Sequence, residues 1–160
     1  MLTISIIVII WFILGLIYLL CNFNIQPSLS QNYYCLQEKK KGYWFYLYLI
    51  ITVFLLIVPL CNIAGGFGFL TCVGLAFVGA AAAFEDDKTQ FKVHVTGAAV
   101  SATGAILTLF TMGLLKVILI TLPIALILSL ITKTFRTSYV FWLEMVAFFS
   151  LFTGLILFLI

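Results

Sequence analysis

Charge is what this chain has least of. Of its 160 residues, 8% are Asp, Glu, Lys or Arg, while 65% are apolar. A soluble domain with that ratio would lack the polar surface needed to cover its core, so an ordinary globular domain in water is excluded. Histidine is scarcer still. His94 stands alone, which removes a three-histidine zinc centre and bis-histidine haem ligation within one chain. The four cysteines, Cys21, Cys35, Cys61 and Cys72, form neither a C-x-x-C redox pair nor a zinc-like spacing. They read as small apolar residues. The sequence has no G-x-S-x-G elbow, P-loop or dinucleotide fingerprint, and the glycines of Ala64-Gly65-Gly66-Phe67-Gly68 neither follow a strand nor precede a phosphate-binding lysine. No metal and no cofactor is therefore expected.

What the chain has in quantity is apolar length. Six stretches, residues 2–21, 43–62, 67–84, 93–112, 114–132 and 139–160, approach the roughly 20 residues a helix needs to cross a hydrocarbon layer of about 30 Å. The fold class expected is all-α: a polytopic integral membrane protein forming one compact bundle of six transmembrane helices over residues 1–160. No connection is long enough to make a soluble domain of its own. The first stretch lacks a basic flank and meets a poor cleavage site at Cys21-Asn22-Phe23, so it reads as a mature helix rather than a signal peptide.

The few charges are ordered. Lys39, Lys40, Lys41, Lys88, Lys92, Lys133 and Arg136 fall in or beside the first, third and fifth connections, and Lys116 alone lies near the other side. By the positive-inside rule the odd connections are cytoplasmic and both termini are not. The same cations suit anionic lipid better than nucleic acid, because they are divided among short loops that flank apolar spans. Expected partners are membrane lipids, a second copy of the chain or another membrane protein, and no nucleic acid. Tyr43, Trp44, Tyr46 and Tyr48, and again Phe135, Tyr139 and Trp142, suit the headgroup level. Pro59 and Pro123 interrupt the second and fifth spans, and Gly65 and Gly113 mark tight hairpins.

The third and fourth spans are rich in small residues. At helical spacing Cys72, Ala76, Gly79 and Ala83 share one face, and Gly97, Ala98, Ser101 and Ala105 offer another. In lipid, small side chains let backbones approach and gain dispersion contacts, so these two faces are expected to pack together at the centre of the bundle.

Polar residues that could carry chemistry cluster toward the odd connections. Glu85 and Asp86 precede His94, Ser28 and Ser30 lie in the first connection, and Glu144 sits about one and a half turns into the last span. An ionisable residue within a span is costly and marks a candidate site. Each also has a structural reading: solvated helix ends for the acids, turn caps for the serines, a packed imidazole for His94, and pairing with Lys133 or Arg136 for Glu144. His94 shares a helical stripe with Ala98, Ser101, Ala105 and Thr108. It is therefore expected to face the bundle within reach of Glu85, Asp86, Glu144 or a serine of the first connection.

Pro27-Ser28-Leu29-Ser30 after the first span and His94-Val95-Thr96-Gly97-Ala98 opening the fourth resemble the DRAM/Frag/Sfk-like superfamily of six-span membrane proteins. That group pairs a P-x-I-S-type segment after its first helix with an H-x-x-G-A-like start to a later one. The resemblance implies six spans and a membrane- or lipid-linked role without a settled reaction. In that group the corresponding face lies outside the cytosol, whereas the cations here place it inside, and the doubled Tyr33-Tyr34 also departs from the pattern. Three functions follow as expectations: a lipid- or partner-binding membrane component, a small-solute or proton-coupled transporter, and an intramembrane lipid-modifying enzyme.

Overall fold

The computed structural model describes residues 1–160. It is helical throughout, with no strand: α1 (Leu2–Phe23), α2 (Asn32–Glu38), α3 (Tyr43–Ala64), α4 (Gly66–Ala80), α5 (Lys88–Thr111), a single 3-10 turn (Leu115–Val117), α6 (Ile118–Ile131) and α7 (Tyr139–Leu159). The helices α1, α3, α5 and α7 are long and apolar enough to cross a membrane, while α4 and the segment Leu115–Ile131 are apolar but shorter. Large apolar side chains cover the outside, among them Leu119 at 73%, Phe54 at 71% and Ile131 at 70% exposure. Such a skin is stable in lipid and not in water.

Two boundaries differ from the apolar pattern. The third stretch was expected to run to residue 84, but α4 ends at Ala80 and Ala81 turns away at φ −107 and ψ 40. Three alanines, Ala81 to Ala83, the residue type of highest helix propensity, are overruled by tertiary hydrogen bonds. His94 Nδ1 meets the carbonyl of Ala81 at 3.1 Å, and the Glu85 N–H donates to the Tyr34 hydroxyl. The fourth stretch was expected to begin at residue 93, yet α5 begins at Lys88. Asp87 caps it by accepting from the Gln90 N–H at 3.1 Å. The cap lies in the sequence as Asp87-Lys88-Thr89-Gln90, a capping-box spacing. The turn after α3 is a single residue, Gly65 at φ 54, and Gly113 at φ 67 closes α5, positions where a side chain would be strained.

The first, third and fifth connections gather at one end of the bundle. The Gln31 amide donates to Glu85 Oε1 at 2.9 Å, and the Phe141 N–H donates to the Pro27 carbonyl at 3.0 Å. At that end α2 lies across the start of α3. Below it, Phe12 is fully buried between Tyr48, Phe148 and Phe152, joining α1, α3 and α7. The Tyr48 hydroxyl donates to the Phe12 carbonyl at 2.9 Å, so a buried phenol is satisfied inside this cluster.

The helices α4 and α5 do pack tightly against each other, but through a different face of α4 from the one the small-residue stripe suggested. A Cβ at Gly97 would sit 2.8 Å from the Gly74 carbonyl oxygen and 2.8 Å from Phe77 Cβ, and the Ser101 hydroxyl donates to the Thr71 carbonyl at 3.0 Å. The α4 contact face is therefore Thr71, Gly74 and Val78. Gly79 faces Leu49 of α3, whose Cβ lies 3.3 Å from where a Gly79 Cβ would be. The difference is one residue of rotation. Because α4 lies between α3 and α5, it needs small residues on two sides, and Cys72 and Gly79 are buried on the other one. Ala76 and Ala83 are half-buried, and Ala98 is exposed along a cavity rather than pressed against α4. The helix α6 packs on α7, where the Thr121 and Ser150 hydroxyls meet at 2.6 Å.

Candidate functional site

Glu144 is positioned by the first turns of α7, and its carboxylate points at the first connection. Oε2 accepts from the Leu29 N–H at 2.6 Å, a short bond that ties the Pro27–Ser30 segment to the last helix. No charged group pairs with this carboxyl; its only hydrogen-bond partner is that one N–H. Pairing with Lys133 or Arg136 does not occur. Glu144 therefore keeps acceptor capacity to spare in an apolar setting, which is the condition under which a further donor is strongly favoured.

The spare capacity borders a cavity of about 230 Å³ enclosed by α3, α4, α5, α7 and the first connection. Thirteen of its 17 lining residues are hydrophobic, and the polar ones are Ser30, Thr71, Ser101 and Glu144. Ser101 is committed to the Thr71 carbonyl. Ser30, 2% exposed, lies beside Leu29 at the same end as Glu144. Ala98, Ala102, Val140 and Leu143 are both lining and exposed, so the cavity opens sideways between α5 and α7. From Glu144 to Leu151 the lining extends about 10 Å along α7 toward the middle of the bundle. The result is an apolar slot with hydrogen-bonding groups at one end and an entrance on the lipid-facing side.

The remaining candidates lie elsewhere. His94 is buried, 8% exposed, and stacks on Phe84 with ring centroids 4.3 Å apart. The hydrogen-bond partner expected among Glu85, Asp86, Glu144 or a serine is instead the backbone carbonyl of Ala81. A carbonyl only accepts, so Nδ1 carries the proton, and His94 closes the end of α4. Ser28 Oγ accepts from the Gln31 N–H at 3.3 Å, a turn cap ahead of α2. Glu85 is bonded by Gln31, and Asp86 is exposed with its N–H on the Ala83 carbonyl at 3.2 Å. Ser28, His94 and Glu85 are thus each engaged with other partners, and His94 makes no hydrogen bond to a serine or an acid.

An aromatic chain holds this end together, and the sequence pattern did not point to it. Tyr46, Tyr33, Tyr34, Phe84 and His94 follow one another in ring contact, with centroid separations of 5.3, 5.1, 5.7 and 4.3 Å. Burial pushes the Tyr34 hydroxyl above its ordinary pKa, so it remains a neutral partner for the Glu85 N–H. Burial likewise raises the Cys35 thiol, which disfavours its thiolate form. The doubled tyrosine, which departs from the resembling group, is the part of the first connection that grips the third. No family model, curated protein or solved structure matches the chain.

Proposed function

We propose that this chain is a six-span membrane protein that binds a lipid through the lateral cavity headed by Glu144. The observation that carries the reading is the cavity itself: an apolar slot with one unpaired carboxylate and a buried serine at its end, entered from the side. An acyl chain would occupy the slot, and a headgroup hydroxyl, amide or amine would donate to Glu144. The six crossings are supported by the path of the chain. Although α4 spans only about 22 Å, it begins at the Gly65 turn and ends beside the first connection, at the opposite end of the bundle. The resemblance to the DRAM/Frag/Sfk-like superfamily belongs to the same reading, because both segments that carry it contribute to the cavity wall: Leu29 and Ser30 from one, Ala98 from the other.

A photoactivatable fatty amide, whose N–H can donate to Glu144 while its chain fills the slot, tests the site in the reconstituted protein. Labelled peptides should come from α5 around Ala98–Ala105 and from α7 around Leu143–Leu151. Ala102→Phe, which fills the entrance, should reduce that labelling about tenfold, the loss expected when two methylenes are denied burial at about 0.8 kcal/mol each. Labelling spread evenly over all lipid-facing helices, unchanged by Ala102→Phe, would remove the proposal.

Orientation is part of the same reading, with the odd connections in the cytosol and both termini on the other side. In a background without the native cysteines, Lys40→Cys and Gln90→Cys should resist an impermeant thiol reagent in intact cells. Lys116→Cys should react. The reverse pattern would invert the protein in the membrane.

A further inference from the structure

A second groove lies between α1 and α3, beneath α2, and shares no lining residue with the Glu144 cavity. It encloses about 410 Å³, with apolar walls from Trp11, Leu19, Phe45, Leu47 and Ile51. Gly15, packed against the Tyr48 ring, keeps its floor low. One end is different in kind. Lys41 lines it, with Tyr18 and Trp44 beside, each about half exposed at 48% and 51%.

Local structure puts Lys41 there. The helix α2 ends in a left-handed turn at Lys40, φ 56, in which the Lys41 N–H donates to the Leu36 carbonyl and the Lys40 N–H to the Gln37 carbonyl, each at 2.8 Å. That is the hydrogen-bond pattern of a helix-closing Schellman turn. It fixes the Lys41 backbone over the groove. Lys39 is engaged by another ring, its ammonium 4.4 Å from the centre of Phe23, and does not line the groove. Of the three consecutive lysines, only Lys41 lines the groove.

The levels also fit a lipid. Tyr18 and Trp44 belong at the headgroup level, where aromatic residues with a polar edge are stable. From Tyr18 to Trp11 the groove descends about 10 Å along α1. One leaflet supplies about 15 Å of hydrocarbon, so the groove takes the upper two thirds of a single acyl chain. A cation at the top of an apolar groove selects a negatively charged headgroup over a zwitterionic one, because the choline or ethanolamine of a neutral lipid would bring a second cation to Lys41.

We propose that the α1–α3 groove is a binding site for an anionic phospholipid, with one acyl chain between Trp11 and Trp44 and the headgroup on Lys41. Two of the three tryptophans line the groove and report on it directly. The protein carrying Trp142→Phe is reconstituted into phosphatidylcholine nanodiscs containing brominated phosphatidylglycerol or, separately, brominated phosphatidylcholine, and tryptophan emission is read as the brominated fraction rises. Brominated phosphatidylglycerol should reach half-quenching at about a fivefold lower fraction, the preference that one lysine near the surface confers. Lys41→Gln should abolish the difference, and Lys41→Arg and Lys133→Gln should retain it. Native mass spectrometry of the unaltered protein and of Lys41→Gln provides a second readout that does not depend on Trp142→Phe. Retained phosphatidylglycerol should fall by a similar factor. Equal quenching by the two lipids, or a preference that survives Lys41→Gln or is lost equally in Lys133→Gln, overturns the site. Because the Glu144 cavity is lined by none of these residues, either proposal can fail while the other stands.

Discussion

Gly97→Leu is expected to destabilise the folded bundle by about 1 to 3 kcal/mol or more, the cost of forcing a branched side chain into a closed interface. The first atom it adds, Cβ, already falls 2.8 Å from the Gly74 carbonyl oxygen and from Phe77 Cβ. Both belong to α4, so the strain is relieved only by moving α4 away from α5. That movement would break the Ser101 to Thr71 hydrogen bond one turn further along. Gly74→Leu should behave the same way, since its Cβ would press on the Ser101 N–H and the Gly97 carbonyl. Two controls make the expectation specific. Ala98→Leu points into the cavity and should melt near the parent, and Gly79→Leu pushes on the Leu49 side chain at 3.3 Å rather than on backbone. Thermal unfolding in detergent of the four variants checks the order. If Ala98→Leu falls furthest and Gly97→Leu matches the parent, the α4–α5 contact has been assigned to the wrong faces.

The interface illustrates what a sequence of this kind makes legible. That α4 and α5 pack closely followed from their small residues alone, because only small side chains permit backbone approach in lipid. Which side of α4 meets α5 did not follow. Small residues occur all around α4, as Thr71, Gly74 and Gly79 show, and an amphipathic stripe carries no sign of which neighbour it meets when the outer solvent is also apolar. Helix ends behaved similarly. Gly65 and Gly113 mark their turns through a backbone conformation that other residues resist, and Asp87 marks the start of α5 through a local cap. The end of α4 has no local signal, because Ala81 to Phe84 are drawn out of the helix by partners at positions 34 and 94.

The site divides along the same line. Glu144 stood out because a carboxylate inside an apolar run is costly wherever it points. Its partner could not be read, since a backbone N–H has no residue type. His94 and the acids near it looked like a reactive group because they are close in sequence. In the folded chain the imidazole turns to a carbonyl, and Glu85 turns to the first connection. Lys41 had been one of seven cations explaining orientation; only the turn at Lys40 separates it from its neighbours.

Glu144→Ala is expected to release the first connection. The Leu29 N–H would lose its only partner, and leaving a buried donor unsatisfied costs about 1 to 3 kcal/mol. Amide exchange at Leu29 and Ser30 should accelerate roughly ten- to hundredfold by the same measure, if opening of this segment limits it. The Phe141 N–H to Pro27 carbonyl bond is untouched, so Pro27 should stay docked while the residues after it loosen. Glu144→Gln separates the two roles of the side chain. Its amide oxygen can still accept from Leu29, so exchange there should rise by far less, while the second carboxyl oxygen is replaced by a donating amide. If the cavity holds a donor headgroup, fatty-amide labelling should persist in Glu144→Gln, because the apolar walls remain, and competition by an amine-bearing lipid should weaken. Hydrogen–deuterium exchange in nanodiscs, resolved to the peptide covering residues 24–34, gives the first comparison. The same exchange rate in the parent and in Glu144→Ala would mean that the carboxylate does not hold this connection, and the polar end of the cavity would then have to be assigned to Ser30 alone.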